Sequence, residues 1–256
     1  MKHSRLPFLT TIAVLVFFYL PLLILSINSF NDSRYGGPWN GFTLRWYVRL
    51  FHDQHIWHAL KNTLFIAVSA TLVSMVIGTL AAFALHRYRS RLQVVHYGMI
   101  YSPLIVPDIL MGMSLLLFFV ALHVRLGLFT IFLAHVTFCV SYVAMVVLSR
   151  LQDFDFSLIE AAHDLGANSW TAYRRVMLPL IMPGIAAGGL LAFTLSLDDF
   201  VITFFVSGPG STTLPIHIYS MMKHGAPAVI NALSVILLLV TFVLVSASRP
   251  MREKTQ

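Results

Sequence analysis

Long uncharged runs alternate with short charged islands along this chain. Residues 6–31, 62–86, 126–149 and 224–248 contain no Lys, Arg, Asp or Glu. Two longer stretches are interrupted only by acids: Asp108 between Arg91 and Arg125, and Asp198 with Asp199 between Arg175 and Lys223. A hydrocarbon core about 30 Å thick takes roughly 20 residues of helix. The pattern therefore predicts six membrane-spanning helices, near residues 8–30, 62–85, 93–121, 127–148, 180–206 and 228–248. Two intervening segments, 31–61 and 149–178, are too long to be turns and are expected to carry structure of their own.

Composition agrees with the pattern. Hydrophobic residues make up 58% of the 256 and charged residues 11%, against roughly 25% charged in soluble domains. Mean hydropathy is +0.81. The expected fold class is an all-α polytopic membrane protein forming a single transmembrane domain over residues 1–256. A net charge of +7 does not point to nucleic acid, because the basic residues are scattered in islands rather than gathered on one face. The single cysteine, Cys139, excludes an intramolecular disulfide.

Six spans place both termini on one side. That side would hold Lys2, Arg5, Arg87, Arg89, Arg91, Arg150, Arg174, Arg175, Arg249, Arg252 and Lys254. The other would hold Arg34, Arg45, Arg49, Lys61, Arg125 and Lys223. The basic excess assigns the first side, and both termini, to the cytoplasm. The first helix lacks an A-x-A-like cleavage site and is read as an uncleaved anchor.

The cytoplasmic loop 149–178 has its own grammar. Ser157 to Glu160 reads as a capping box, with Ser157 as N-cap. Leu158, Ala161, Ala162 and Leu165 share one helical face. Gly166 is placed to end that helix in the left-handed conformation, and Ser169 is expected to cap a second short helix running into Arg174 and Arg175. The elbow could lie on the bilayer surface as an amphipathic connector, or dock on a partner.

Three carboxylates fall inside the predicted spans, each costing about 2.5–3.5 kcal/mol at the bilayer centre on insertion scales. Spacing puts Asp108 and Asp198 both toward the outer half of the membrane. They suit an anionic station for a cationic solute, with Ser196 as a neutral hydrogen-bonding group. Asp108 could instead cap a helix restarted after Pro103 and Pro107, and Asp198 with Asp199 could mark a helix end. Proton coupling or metal-ion transport remain alternatives.

In the outer loop, Arg45, Arg49 and His52 are spaced for an interfacial helix. Trp39, Trp46 and Trp57 suit an aromatic belt, and Trp46 or Tyr47 could also meet a cation through its ring face. His52, His55 and His58 lack a fixed fourth ligand, so no metal site is expected. No G-x-x-x-x-G-K-[ST] loop occurs, since no lysine follows a glycine. Neither H-E-x-x-H nor G-x-S-x-G appears, so no enzymatic activity is expected.

Glu160-Ala161-Ala162, Gly166 after three residues, and then Val176, Leu178 and Pro179 after nine more resemble the EAA loop of ABC importer permeases. Gly41-Phe42-Thr43 with Trp46-Tyr47, His135 to Cys139, Ala192 to Asp199, Ser207-Gly208-Pro209 and Asn231-Ala232-Leu233 resemble the spermidine/putrescine (PotC-type) permease family. The resemblance covers nearly the whole chain. It implies a type I (MetI-like) permease in the inner membrane that moves polyamines. Its implied partners are a second permease subunit, two copies of an ATP-binding subunit that carry the ATP and Mg, and a periplasmic polyamine-binding protein. Glu160, Ala161, Ala162, Leu165, Gly166, Leu178 and Pro179 would couple to the ATPase. Asp108, Asp198, Asp199, Ser196 and Trp46 would line the substrate path.

Overall fold

The computed structural model describes residues 6–34, 37–87, 92–225 and 227–253, and the side-chain surroundings within them except at Leu6, Pro227 and 244–253. Lys2, Arg5, Arg89, Arg91 and Lys254, which carry part of the expected charge asymmetry, lie outside the described residues, as do the side chains of Arg249 and Arg252.

The regular secondary structure of the described residues is helical apart from one isolated bridge between Asn31 and Phe42. Its helices are α1 (Leu6–Asn28), α2 (Arg45–His52), α3 (Gln54–Arg87), α4 (Gln93–Ile105), α5 (Asp108–Ala121) and α6 (Leu128–Gln152). There follow α7 (Ser157–Asp164), α8 (Ser169–Ala172), a π-helical turn (Tyr173–Met177), α9 (Leu178–Asp198), α10 (Val201–Val206), α11 (Leu214–Lys223) and α12 (Pro227–Glu253). Among the described residues four helical segments are long and apolar enough to cross a membrane: Pro7–Asn28, Gln54–Arg87, Leu128–Gln152 and Ser169–Asp198. The bent pair α4–α5 makes a fifth, and α12 contributes a shorter apolar stretch, Ala228–Val243.

Two of the predicted spans are broken. The helix expected over 93–121 turns by 111° between α4 and α5. Pro107 forces its predecessor out of the helical region, and Val106 is extended at φ −71°, ψ 129°. The helix expected over 180–206 stops at Asp198. Asp199 is extended, with ψ 122°, and the chain resumes as α10.

The contacts divide the chain into two units, Met1–Trp57 with His217–Gln256, and His58–Ile216. In the first, α12 packs on α1 and α2. In the second, α6 is the central post, packed by α9, α4 and α10, while α10 also packs on α5. Its core joins Ile66 of α3, Ile131, Val143 and Val147 of α6, and Ile181 and Ala192 of α9. Without a hydrophobic drive between helices in lipid, small residues allow close approach and dispersion holds the bundle. A Cβ on Gly78 of α3 would stand 2.8 Å from the Val143 Cβ and 2.9 Å from the Val140 carbonyl oxygen. Gly184 of α9 packs directly on the Arg150 stem, and Gly188 on the Val143 backbone.

Candidate functional site: an acidic cavity and a cytoplasmic elbow

The two helix breaks face each other in the second unit. Between them lies a cavity of about 260 Å³, lined by Asp108, Asp198 and Asp199 together with Phe138, Tyr142 and Phe200. Among the described residues no Lys or Arg lines it. Asp108 is the first residue of α5, where the helix dipole favours a carboxylate. It is also exposed to the cavity, so a favourable place in the first turn and accessibility coexist. Asp198, the last residue of α9, is likewise exposed.

Asp199 is held differently. Its Oδ2 accepts hydrogen bonds from the Thr203 amide at 2.8 Å and the Thr203 hydroxyl at 2.6 Å, and its Oδ1 accepts from the Ile202 amide at 3.3 Å. The carboxylate thus satisfies amides at the start of α10 that have no partner within the helix. His135 of α6 adds its Nε2 at 3.4 Å from Oδ2. Ser196 is 3% exposed, and its hydroxyl is 2.7 Å from His135 Nδ1. The sequence placed Asp198, Asp199 and Ser196 together as cargo groups. The structure leaves Asp198 exposed at the cavity, holds Asp199 in the lining by its hydrogen bonds to α10, and buries Ser196 behind them. His135, Phe138, Tyr142 and Phe200 were not singled out. A histidine and an aromatic inside an uncharged run were the available signal.

Trp46 belongs to the first unit, where it is buried, and is not among the residues lining the cavity. Its Nε1 donates to the Asn31 carbonyl at 2.8 Å. The cation over its ring is Arg45 of the same loop, 4.4 Å from the centroid, and Arg45 also pairs with Asp32 at 3.1 Å. Asn31 Oδ1 accepts from the Ser33 and Asn40 amides, while the Tyr47 hydroxyl meets Ser29 Oγ at 2.7 Å. The indole and phenol therefore tie the outer loop together. The three spaced histidines have separate partners: His52 meets the Val48 carbonyl, His55 stacks beside His217, and His58 approaches Asn62. No group of three metal-ligating side chains occurs among the described residues.

The elbow forms with corrected caps. Ser157 is not the N-cap of α7, and no Ser157–Glu160 capping box forms. Phe156 stands at the N-cap without a side-chain bond, and Asp155 before it supplies the acceptor, its Oδ1 taking the Ser157 amide at 3.0 Å. Hydrogen bonds from the Ser157 hydroxyl and amide hold the Asp155 carboxyl below the usual carboxylate range. Asn168, not Ser169, caps α8, accepting from the Thr171 amide at 2.8 Å. Gly166 does adopt the left-handed conformation at φ +86°, with its amide bonded to the His163 carbonyl and that of Ala167 to Ala162, the pattern of a Schellman stop. Aromatic pairs hold the elbow to the end of α3: Tyr173 edge-on to Phe83 at 5.4 Å and Phe156 stacked on His86 at 5.1 Å. The outer surface is greasy. Leu165 is 90% exposed and Trp170 66%, with Leu158 and Ala161 beside them in the sequence also exposed. Leu178 is half-buried in the core, and Pro179 is exposed.

Comparison with known proteins agrees with this architecture. The family model described as "binding-protein-dependent transport system inner membrane component" matches residues 74–249. The spermidine/putrescine transport system permease protein PotC of Escherichia coli (strain K12) is 44% identical over 245 residues, covering 95% of this chain and 93% of that protein. The putrescine transport system permease protein PotI of the same organism is 47% identical over 229 residues, covering 87% and 82%. A crystal structure of a bacterial ABC transporter that imports the acidic polysaccharide alginate shares the fold, with a TM-score of 0.73 at 19% identity, covering 96% of this chain and 98% of that one. The chain belongs to the family of inner membrane components of binding-protein-dependent transport systems.

Proposed function

We propose that the chain is one of two permease subunits in an ATP-driven importer of polyamines, forming half of the translocation path. The observation that carries this reading is the cavity where Asp108 and Asp198 are exposed among Phe138, Tyr142 and Phe200 with no basic side chain present. A polyamine alternates ammonium groups with short methylene runs. Carboxylates accept the ammonium protons, and aromatic faces cover methylenes and attract cations. Two carboxylates on separate helices attract the cation without enclosing it, so the cargo can leave. The similarity to PotC and PotI supports the same cargo class.

On this reading the subunit pairs with a second, homologous permease and receives cargo from a periplasmic polyamine-binding protein. Both termini lie in the cytoplasm. The elbow docks on one of two ATP-binding subunits, which hold the ATP and its Mg. Leu165 and Trp170 offer the apolar anchor that an amphipathic helix places in a groove. Glu160, Ala161 and Ala162 shape the docking helix, Gly166 sets its exit angle, and Leu178 with Pro179 passes its motion into α9. Closure of the ATPases would then move the elbow and, through the aromatic pairs, the ends of α3 and α9.

The test is ATP-driven uptake of labelled spermidine by the assembled complex in proteoliposomes, with competing solutes. Putrescine and spermidine should compete, whereas amino acids, sugars and divalent metal ions should not. Uptake driven by an ion gradient alone, or competition by a metal ion in place of polyamines, would overturn the reading.

A further inference from the structure

His135 sits at the centre of unit two with its ring 1% exposed, and it touches both sides of the α9–α10 break. Nδ1 is 2.7 Å from Ser196 Oγ in the last turn of α9, and Nε2 is 2.9 Å from Thr203 Oγ1 in α10. The Thr203 hydroxyl gives its only proton to Asp199 Oδ2. It must therefore accept from His135, which fixes a proton on Nε2. α9 is held on α6 by packing along its length, with Gly184 and Gly188 against Arg150 and Val143. α10 is six residues long; beside its packing on α5 and α6, side chains of α6 hold it at two places, His135 at Thr203 and the Thr130 hydroxyl donating to the Val206 carbonyl at 2.7 Å. The Thr130 link holds the far end of α10, so the Nε2 link is the one beside the break.

We infer that His135 is a positioning residue for the cation site. By holding Thr203, and through it Asp199, to α6, it fixes the backbone so that Asp198 opens into the cavity opposite Asp108. It does not itself line that cavity. The inference deepens the polyamine reading and rests on it. Burial makes the link costly to lose, because the Thr203 hydroxyl and the Ser196 hydroxyl would each give up a partner where water does not replace it.

The experiment compares His135→Gln and His135→Asn in the assembled complex, reading labelled-spermidine uptake against concentration. A glutamine amide reaches the Nε2 position and an asparagine amide the Nδ1 position. His135→Asn should raise the half-saturating concentration by about tenfold, with a much smaller change in maximal rate, and His135→Gln should restore most of the loss. Thr203→Val removes the same link with little change of volume and should reproduce the Asn variant, so it decides the matter if His135→Asn does not assemble. Equal half-saturation in Thr203→Val, His135→Asn and the wild type would overturn the inference while leaving the polyamine reading intact. Equal losses in the Gln and Asn variants would reduce His135 to packing. Absence of polyamine uptake by the wild-type complex would overturn the reading and the inference together.

Discussion

Asp198 and Asp199 are consecutive in the chain and face different surroundings. Asp198 is open to the cavity, whereas the Asp199 side chain is 9% exposed and held by Thr203 and His135. Ending α9 between them with an extended residue is what separates the two. Asp199→Ala removes the acceptor for two amides of α10 and should lower the stability of the complex by about 1–3 kcal/mol. Asp198→Asn removes no hydrogen bond that the helix break uses and should leave stability within about 0.5 kcal/mol. Thermal unfolding of the purified complexes, read in parallel, checks the contrast. Equal losses would mean that both carboxylates serve the wall.

Gly78 is a contact residue of the bundle. Replacing it with leucine drives a side chain into Val143 and the Val140 carbonyl, separating α3 from α6. Overpacking of this kind costs about 1–3 kcal/mol or more. Yield of folded complex in detergent should fall sharply for Gly78→Leu and little for Gly98→Leu, where a Cβ meets nothing within 4 Å.

Trp46→Phe should loosen the outer loop without touching cargo. Loss of the hydrogen bond to Asn31 costs about 1 kcal/mol, seen as faster proteolysis within residues 29–44. The half-saturating spermidine concentration should stay within about twofold, since the Arg45 guanidinium already occupies the ring face. A large shift in half-saturation with the loop intact would return Trp46 to the substrate path.

At the elbow, a β-branched side chain at the left-handed Gly166 costs about 1–2 kcal/mol per residue. Gly166→Val should therefore misdirect α8 and weaken co-purification of the ATP-binding subunit. Trp170→Ala should weaken it as well, leaving the fold unaltered because the indole is mostly exposed. Undiminished co-purification of both variants would place the docking surface elsewhere.

How much of this was legible in the sequence depended on the range of the forces involved. The apolar runs anticipate helical segments, because burial in lipid is set by length and composition, but among the described residues four segments, or five with the bent pair, are long and apolar enough to cross a membrane rather than six. The break after Val106 was half visible, since Pro107 announces it, but the 111° turn is a tertiary result. The break at Asp199 carried no proline or glycine, and it rests on a histidine 64 positions earlier. Gly166 was readable because a left-handed cap has a local cause. Ser157 became a donor rather than a cap because the turn before α7 brings the Asp155 carboxylate to its amide. For Trp46 an aromatic beside basic residues suggested cargo contact, and only the folded loop reveals that its ring is already used by Arg45 and Asn31.

The central claim is that exposed carboxylates at two facing helix breaks attract a polycation. Its most direct measure is labelled-spermidine uptake by proteoliposomes carrying the complex with Asp108→Asn and Asp198→Asn combined, ATP being supplied to the ATPase side. The account predicts an intact complex whose uptake falls by more than about a hundredfold, each charged hydrogen bond lost contributing roughly 1.5–3 kcal/mol. Uptake matching the wild type, at the same half-saturating concentration, would contradict it.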